Sequence, residues 1–449
     1  MRKSGVPLII TVVVGVALAG VLNIKGGAGN PNPNSGAAGP SAQSSALYCT
    51  GLTNAHGGLR GIVDFINTTS ATRHVVVHAV ATGATSAVAT AFILGPYARQ
   101  VVSPTNLVVG QTYALAAQID GGGVSAEQVV TGHGTQSPCV SAGVTNWYGS
   151  GFDTTVGSRA ILSVYNPTAT AAVFNVTTFS TSGFLSPASL QGVSVGPHTE
   201  LALNLGEEIV ATQNFGAQVS VLRGSLVVAG DQISGTTSSL NYGTAHLAST
   251  GTFPLVTTAN KALAQVRIAN PGPAAATVTL TVKVGKFKVA PQSKTVAAYH
   301  SAMITITPNT AIPAAGEASL VMTSNEAVDA TLATGTTDGL TLSPLGTPVA
   351  RAILADVTGG GFGEATATNA TGAVATFAWA LIHHGVVTST GSTSVGVGRT
   401  ISLGQLLGGR TKLRGSTLVL ASSTPALVVD AILNTTPIGL TLASSLNGG

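Results

Sequence analysis

An asparagine closes an apolar stretch four times along this chain, at Asn67, Asn166, Asn270 and Asn369, at intervals of 99, 104 and 99 residues. Each is followed by a turn of small residues and then a β-rich run, as in FINTTSAT, VYNPTAT, IANPGPA and ATNATGAV. A period near a hundred residues is the size of a β-sandwich domain, so the chain is constrained to repeat one such unit. Two further landmarks keep the beat. Pro96-Tyr97, Pro197-His198, Tyr299-His300 and Gly398-Arg399 each introduce an alternating strand, and their second members lie 101, 102 and 99 residues apart. Four acids, Glu127, Asp231, Asp329 and Asp430, follow at intervals of 104, 98 and 101. Three landmarks in register predict four repeats, over 47–142, 143–247, 248–347 and 348–449.

Composition narrows the element type. Charged residues make up 8%, against about 25% in an average globular domain. Hydrophobic residues make up 44%, joined by Thr and Ser in a mixture that suits a pleated surface better than exposed helices. Within the second repeat, Arg159–Tyr165, Val173–Phe179, Val193–Val195, Glu200–Leu205, Ala217–Arg223 and Leu226–Ala229 read as short strands parted by turn residues. Asn166-Pro167 ends the first of them, because Pro has no donor to continue a ladder. Repeat three gives the matching runs QVRIA, TVTLTVKV, AMITIT, SLVMTS and VDATLAT. The fold class expected is all-β: four tandem immunoglobulin-like or fibronectin-like sandwiches after an N-terminal hydrophobic helix and a flexible linker.

Arg2 and Lys3 precede an uncharged apolar run from Gly5 to Leu22. Residues 1–25 therefore read as an export signal, cleaved near Ala17-Leu18-Ala19, or as an uncleaved membrane anchor. Residues 26–46 are rich in Gly, Pro, Asn, Ser and Ala and read as a flexible linker. Either way the repeats are expected outside the cytoplasm. Cys49 and Cys139 flank the first repeat, and in an exported chain they are expected to pair as a disulfide.

A search for catalytic chemistry finds neither a G-x-S-x-G elbow nor an H-E-x-x-H helix, and no phosphate-cradling loop. The Gly359–Gly363 run reads as a turn. His74 and His78 share one face of a strand, whereas His383 and His384, being adjacent, are expected to point apart; no metal site is expected from either pair. Glu207-Glu208 has no second carboxylate at a definable distance. The repeated acids read as solvent-facing strand ends, with a bound cation at each domain junction as the alternative. Trp147-Tyr148 lies where the first two repeats meet and is the candidate ligand-stacking pair, against packing in the joint; Trp379 reads as core. The net charge of +4 is spread thinly. Lys283, Lys286, Lys288 and Lys294, and Arg410, Lys412 and Arg414, read as solvated loops and strand faces, so no nucleic-acid partner is expected. No catalytic, cofactor or metal-binding residue is assigned.

The apolar N-terminus, the strand-Asn-Pro-turn units VYNPTATAAVFNV and IANPGPAAATVTL, the strand start GPHTELAL and the closing ALVVD strand resemble an actinobacterial family of exported repeat proteins, the family termed domain of unknown function 5719. The likeness covers about residues 47–446; the first and last repeats lack the Pro after Asn. It implies an envelope location and sandwich domains, and brings no known activity. The expected role is a non-enzymatic envelope protein, spanning distance as a scaffold or accessory binding subunit. Its expected partners are an envelope protein or cell-wall glycan, with the membrane contacted through the N-terminal segment. The alternatives are a cell-wall carbohydrate-binding protein and an envelope hydrolase with an unrecognised site.

Overall fold

Val, Ile, Leu and Phe alternate with Thr, Ser and Ala along most of the chain, and strands form almost throughout. A computed structural model describes residues 45–53, 60–131, 136–235, 237–253, 263–284, 287–306, 318–336, 339–346, 348, 350–355, 364–407, 415–422, 424–425, 427–432 and 444–445. The export segment, the linker up to residue 44, Lys286, the Gly359–Gly363 run and the Arg410, Lys412, Arg414 group lie outside the described residues. No helix among the described residues is long and apolar enough to cross a membrane.

The chain passes repeatedly through one plan of eight strands. In the first repeat these are Ser45–Thr53, Arg60–Asn67, Arg73–Ala81, Val88–Leu94, Arg99–Val102, Thr112–Ile119, Val124–Thr131 and Gln136–Pro138. They make two antiparallel sheets, ordered first–sixth–third–fourth and fifth–second–seventh–eighth. The second repeat, Asn146–Phe152 to Thr237–Asn241, and the third, Ala248–Phe253 to Gly339–Pro344, keep both orders. In the fourth, Arg351–Ala355 to Leu427–Ile432, the first seven strands do the same. The end of each repeat bridges back to its own first strand, at Tyr48–Val140, Tyr148–Thr244, Thr252–Gly346 and Ala352–Ser445. The Cys49–Cys139 disulfide staples the first of these bridges covalently.

This order is not the immunoglobulin one expected from sequence, in which the sixth and seventh strands pair within one sheet. Here they lie in opposite sheets. The third repeat shows why. The runs SLVMTS and VDATLAT, separate strands in the sequence reading, are one strand, Ala318–Thr336. Its first half pairs with Ala276–Val284 and its second with Leu263–Asn270. A strand that continues from one sheet into the other cannot also fold back as a hairpin. In the second repeat the same path is broken by Gly224 at φ 86°.

Each sandwich closes over its own core. Leu162, Val164, Phe174, Val176 and Phe215 fill the second, and complete burial of one such side chain contributes about 1.5–3 kcal/mol. The repeated asparagines fix how the sheets join. All four are fully buried. Asn166 Nδ2 donates to the carbonyls of Thr170 (2.8 Å), Val195 (3.1 Å) and Gly196 (3.0 Å), while its Oδ1 accepts from the Thr168 amide and hydroxyl. Asn67, Asn270 and Asn369 reproduce this pattern. Each therefore ties the turn after the second strand to the corner before the fifth. The corner residue itself is left-handed: Tyr97 (φ 53°), His198 (53°), Tyr299 (61°) and Gly398 (61°). In the third and fourth repeats the recurring member of this landmark is thus Tyr299 and Gly398, one residue before His300 and Arg399.

The sandwiches pack head to tail. The outer face of each fifth–second–seventh–eighth sheet meets the other sheet of the preceding repeat. Tyr165 and Val227 of the second repeat pack on Val80 and Ala114 of the first. Arg267 of the third donates to Gly151 O of the second (2.7 Å). Gly398 of the fourth lies against the Lys283 side chain of the third. Tyr97 of the first packs on Ala380, Ile382, Val419 and Ala421 of the fourth. These four contacts make a closed circuit rather than the extended array expected from sequence.

Candidate functional site

The polar chemistry of this chain collects in the joints. Where the first repeat meets the second, strand Glu200–Asn204 carries Glu200 into the interface, where it is only 3% exposed. Its Oε1 accepts from the Thr50 hydroxyl (3.0 Å) and the Gly51 amide (3.2 Å), and its Oε2 from the Thr82 hydroxyl (3.3 Å). Burial pushes its carboxyl up to about 8, against the pull of those three donors. The neighbouring Tyr165 phenol is pushed up to about 12 by burial, with Tyr48 and Glu200 adding to the shift. Tyr242 closes the site, its hydroxyl donating to Gln128 Oε1 (2.9 Å) and accepting from the Thr50 amide (2.9 Å); burial raises its pKa.

The repeated acids are buried, not solvent-facing: Glu127, Asp231 and Asp329 are 0%, 3% and 6% exposed. The sheet face they occupy is covered by a neighbouring strand or repeat. Their register also varies. Glu127 sits opposite Asp64, Asp231 opposite Ile161, and Asp329 opposite Ala269, which are three, five and one residues before the repeated asparagine. The odd offsets put them on one sheet face at three different levels. Asp430 sits opposite Thr366, and its side chain lies outside the described residues. Asp231 accepts from the Ser238 hydroxyl (2.6 Å). Asp329 is hydrogen-bonded to Ser150 across the second joint, where Ser150 also meets Thr331 (3.0 Å). Burial pushes both carboxyls up to about 6. Arg267, 3% exposed in the same joint, has its pKa lowered by burial.

The joint between the fourth and first repeats is a polar relay. Arg99 forms an ion pair with fully buried Asp64 and donates to Ser416 O (3.1 Å) across the joint. Burial raises the Asp64 carboxyl, and Arg99 pulls it back down. His383 Nδ1 lies 3.1 Å from the Ser416 hydroxyl. Contrary to the sequence reading, His383 and His384 do not point apart; their ring centroids are 4.0 Å from each other. His384 has left the strand for a turn at φ 48°, so strand alternation no longer applies. Among the described residues no group of three His, Cys, Asp or Glu side chains is arranged to hold a metal.

The candidate stacking pair does not present a platform. Trp147 is 2% exposed, packs near Phe152 (6.4 Å between centroids) and donates from Nε1 to Tyr242 O (2.5 Å). Its ring lies in the core of the second repeat, so no sugar face can reach it. Tyr148, next along the strand, points the other way; it is half-buried and accepts from Gln218 Nε2 (3.3 Å). Trp379 lies in the core of the fourth repeat. The exposed aromatic contact is instead Phe184 with Tyr299, edge to face at 5.7 Å. Sequence reading took Tyr299 only as a repeat landmark and passed over Phe184 and Glu200, which do not recur in the other repeats.

No family model matches the chain, and no curated protein matches it. Among solved structures the similarity is at a low level. A Streptomyces avermitilis alpha-L-rhamnosidase complexed with L-rhamnose aligns at 11% identity and a TM-score of 0.14, covering 71% of this chain and 44% of that one. The tetra-tandem repeat in the extending region of a large adhesion protein aligns at 10% identity and a TM-score of 0.12, covering 83% of this chain and 90% of that one.

Proposed function

We propose that the chain is a non-enzymatic, extracytoplasmic cell-envelope protein whose four sandwiches form one rigid binding platform, a scaffold or accessory subunit. The observation that carries this reading is the circuit of joints. Buried carboxylates, Arg267 and the Arg99–Ser416 contact hold the repeats to one another, so the outer rims of the sheets remain to meet a partner. The Cys49–Cys139 disulfide supports an oxidising compartment. Attachment through residues 1–25, and kinship with the family termed domain of unknown function 5719, belong to the same proposal and rest on the sequence motifs. In-cell cross-linking of the tagged full chain, followed by mass spectrometry, tests it. Recovery of a defined envelope protein is the expected result; recovery of neither envelope protein nor glycan discards the platform.

One observation favours glycan binding as a second reading. Phe184 and Tyr299 offer exposed ring faces, at 61% and 40%, and aromatic faces stack on sugar rings. Under this reading Phe184→Ala lowers retention of the chain on purified wall polymer; unchanged retention removes it.

A further inference from the structure

The fourth strand of each repeat lies at the edge of its sheet, where unpaired backbone groups invite another strand. In the second repeat this edge is broken into Gly183–Leu185 and Val193–Val195, with Pro187 and a 3-10 turn between them. In the third it is broken into Phe287–Lys288 and Gln292–Val296, interrupted by Pro291 and carrying Lys294. Such breaks, prolines and lysines are how natural sheets blunt their edges. The first repeat has a seven-residue edge, Val88–Leu94, without them, and the fourth repeat has the longest such edge. Its edge is one strand, Val386–Val395, ten residues long, without charge or proline.

The geometry points to this strand as a self-pairing edge that joins two copies of the chain antiparallel. Its sequence, VVTSTGSTSV, reads nearly alike in both directions about Gly391. An antiparallel second copy centred there sets Thr390 opposite Ser392 and Ser389 opposite Thr393. Hydroxyl thus meets hydroxyl, and Thr–Ser cross-strand pairs are favourable. A twofold contact of this kind uses the same patch on both chains and closes without growing into a fibre. Ser392 and Ser394 are exposed, and Thr390 is half-exposed on the same face. Gly391 is fixed at the centre because a Cβ there would meet the Trp379 ring at 2.6 Å. A bulge between Leu381 and Ile382 kinks one end, where the Thr388 hydroxyl donates to Leu381 O, so the regular pairing runs through Ser389–Thr393. Self-pairing does not depend on what the platform binds.

Sedimentation of the full chain over a wide concentration range tests this. A monomer–dimer equilibrium is expected. T390K with S392K faces two lysines with two across the axis and is expected to weaken the dimer by at least about tenfold. T390E with S392K sets each carboxylate opposite the other copy's ammonium and is expected to restore it. Trp379 fluorescence, reporting the core of the same repeat, verifies that each variant is folded. A parent chain that stays monomeric throughout, or a dimer that the paired lysines leave unchanged, overturns the assignment.

Discussion

Replacing Asn166 by alanine tests the most repeated device in the molecule. The substitution deletes three donated and two accepted hydrogen bonds at a fully buried position. The losses are unequal. Thr170 O keeps the Thr168 hydroxyl (3.0 Å) and Gly196 O keeps the Thr199 hydroxyl (3.0 Å). The cost therefore concentrates on Val195 O and the Thr168 amide. At about 1–3 kcal/mol for each buried group that loses its partner, the second repeat is destabilised by about 4 kcal/mol. Trp147 lies in the core of that repeat and Trp379 in the fourth. Urea unfolding followed by Trp147 emission in a Trp379→Phe background thus reads the second repeat alone. With a slope of about 2 kcal/mol/M the midpoint falls by about 2 M. Asn166→Asp keeps the acceptor but turns a carboxylate toward three carbonyls, so near neutral pH it is expected to be worse than alanine and to recover in acid. A midpoint within about 0.5 M of the parent for Asn166→Ala would refute the claim that this side chain holds the corner together.

Further outcomes follow from the joints and the staple. Glu200 titrates at about 8 when folded against 4.5 ordinarily, so between those values the folded state holds an extra proton and stability falls as pH rises, by about 1.4 kcal/mol per unit. Asp231 and Asp329 are half titrated at about 6 and nearly finished by about pH 7, so the slope between pH 7 and 8 belongs chiefly to Glu200 (roughly half to one proton); it should largely vanish in Glu200→Gln, and a persisting slope would sink the assignment. Reducing Cys49–Cys139, which closes a 90-residue separation, should cost the first repeat about 4–5 kcal/mol on the chain-entropy model, seen as faster amide exchange in Ser45–Thr53. Arg99→Met leaves the Asp64 carboxylate buried without its guanidinium and should cost about 3–5 kcal/mol. It should also raise exchange in Thr417–Ser422 across the joint, and adding Asp64→Asn should recover most of the loss.

The period, the role of asparagine in its turn, the cysteine pair and the all-β class were legible because each rests on local chemistry. Asn166-Pro167 ends a strand whatever surrounds it. Strand order was not legible, because Ala318–Thr336 crosses between sheets for a reason that lies in long-range pairing and not in its own residues. The acids and Trp147 were misread for different reasons. Alternation along a strand marks one face as core and leaves the other to be taken as wet. Here the other face is covered by the preceding repeat or by an added strand, so Asp231 and Asp329 are buried although they stand where a lone sandwich would meet solvent. Trp147 reads from sequence as a stacking or joint residue because it falls at a repeat boundary, yet its strand, Asn146–Phe152, is already the first strand of the second sandwich.

The closed circuit also accounts for the composition. A lone sandwich needs a charged exterior on both sheets, and four of them would carry far more than 8% charged residues. When each repeat lays one sheet on its predecessor, both outer faces leave solvent and only rims and corners stay wet. Val80, Ala114, Val419 and Ala421, on outer sheet faces, are as buried as core residues. The interfaces hold no excess of charge because an unpaired charge there would go uncompensated; the acids present are hydrogen-bonded or ion-paired, as Glu200 and Asp64 are. It follows that the repeats are not interchangeable beads. Ending the chain after residue 347 should leave Gln265–Ala269 covered by the second repeat but uncover Tyr97 and Arg99 of the first, leaving Asp64 newly wet. The shortened chain is expected to show faster exchange in Arg60–Asn67 while Leu263–Asn270 stays protected; equal protection of both strands would mean that the circuit does not close.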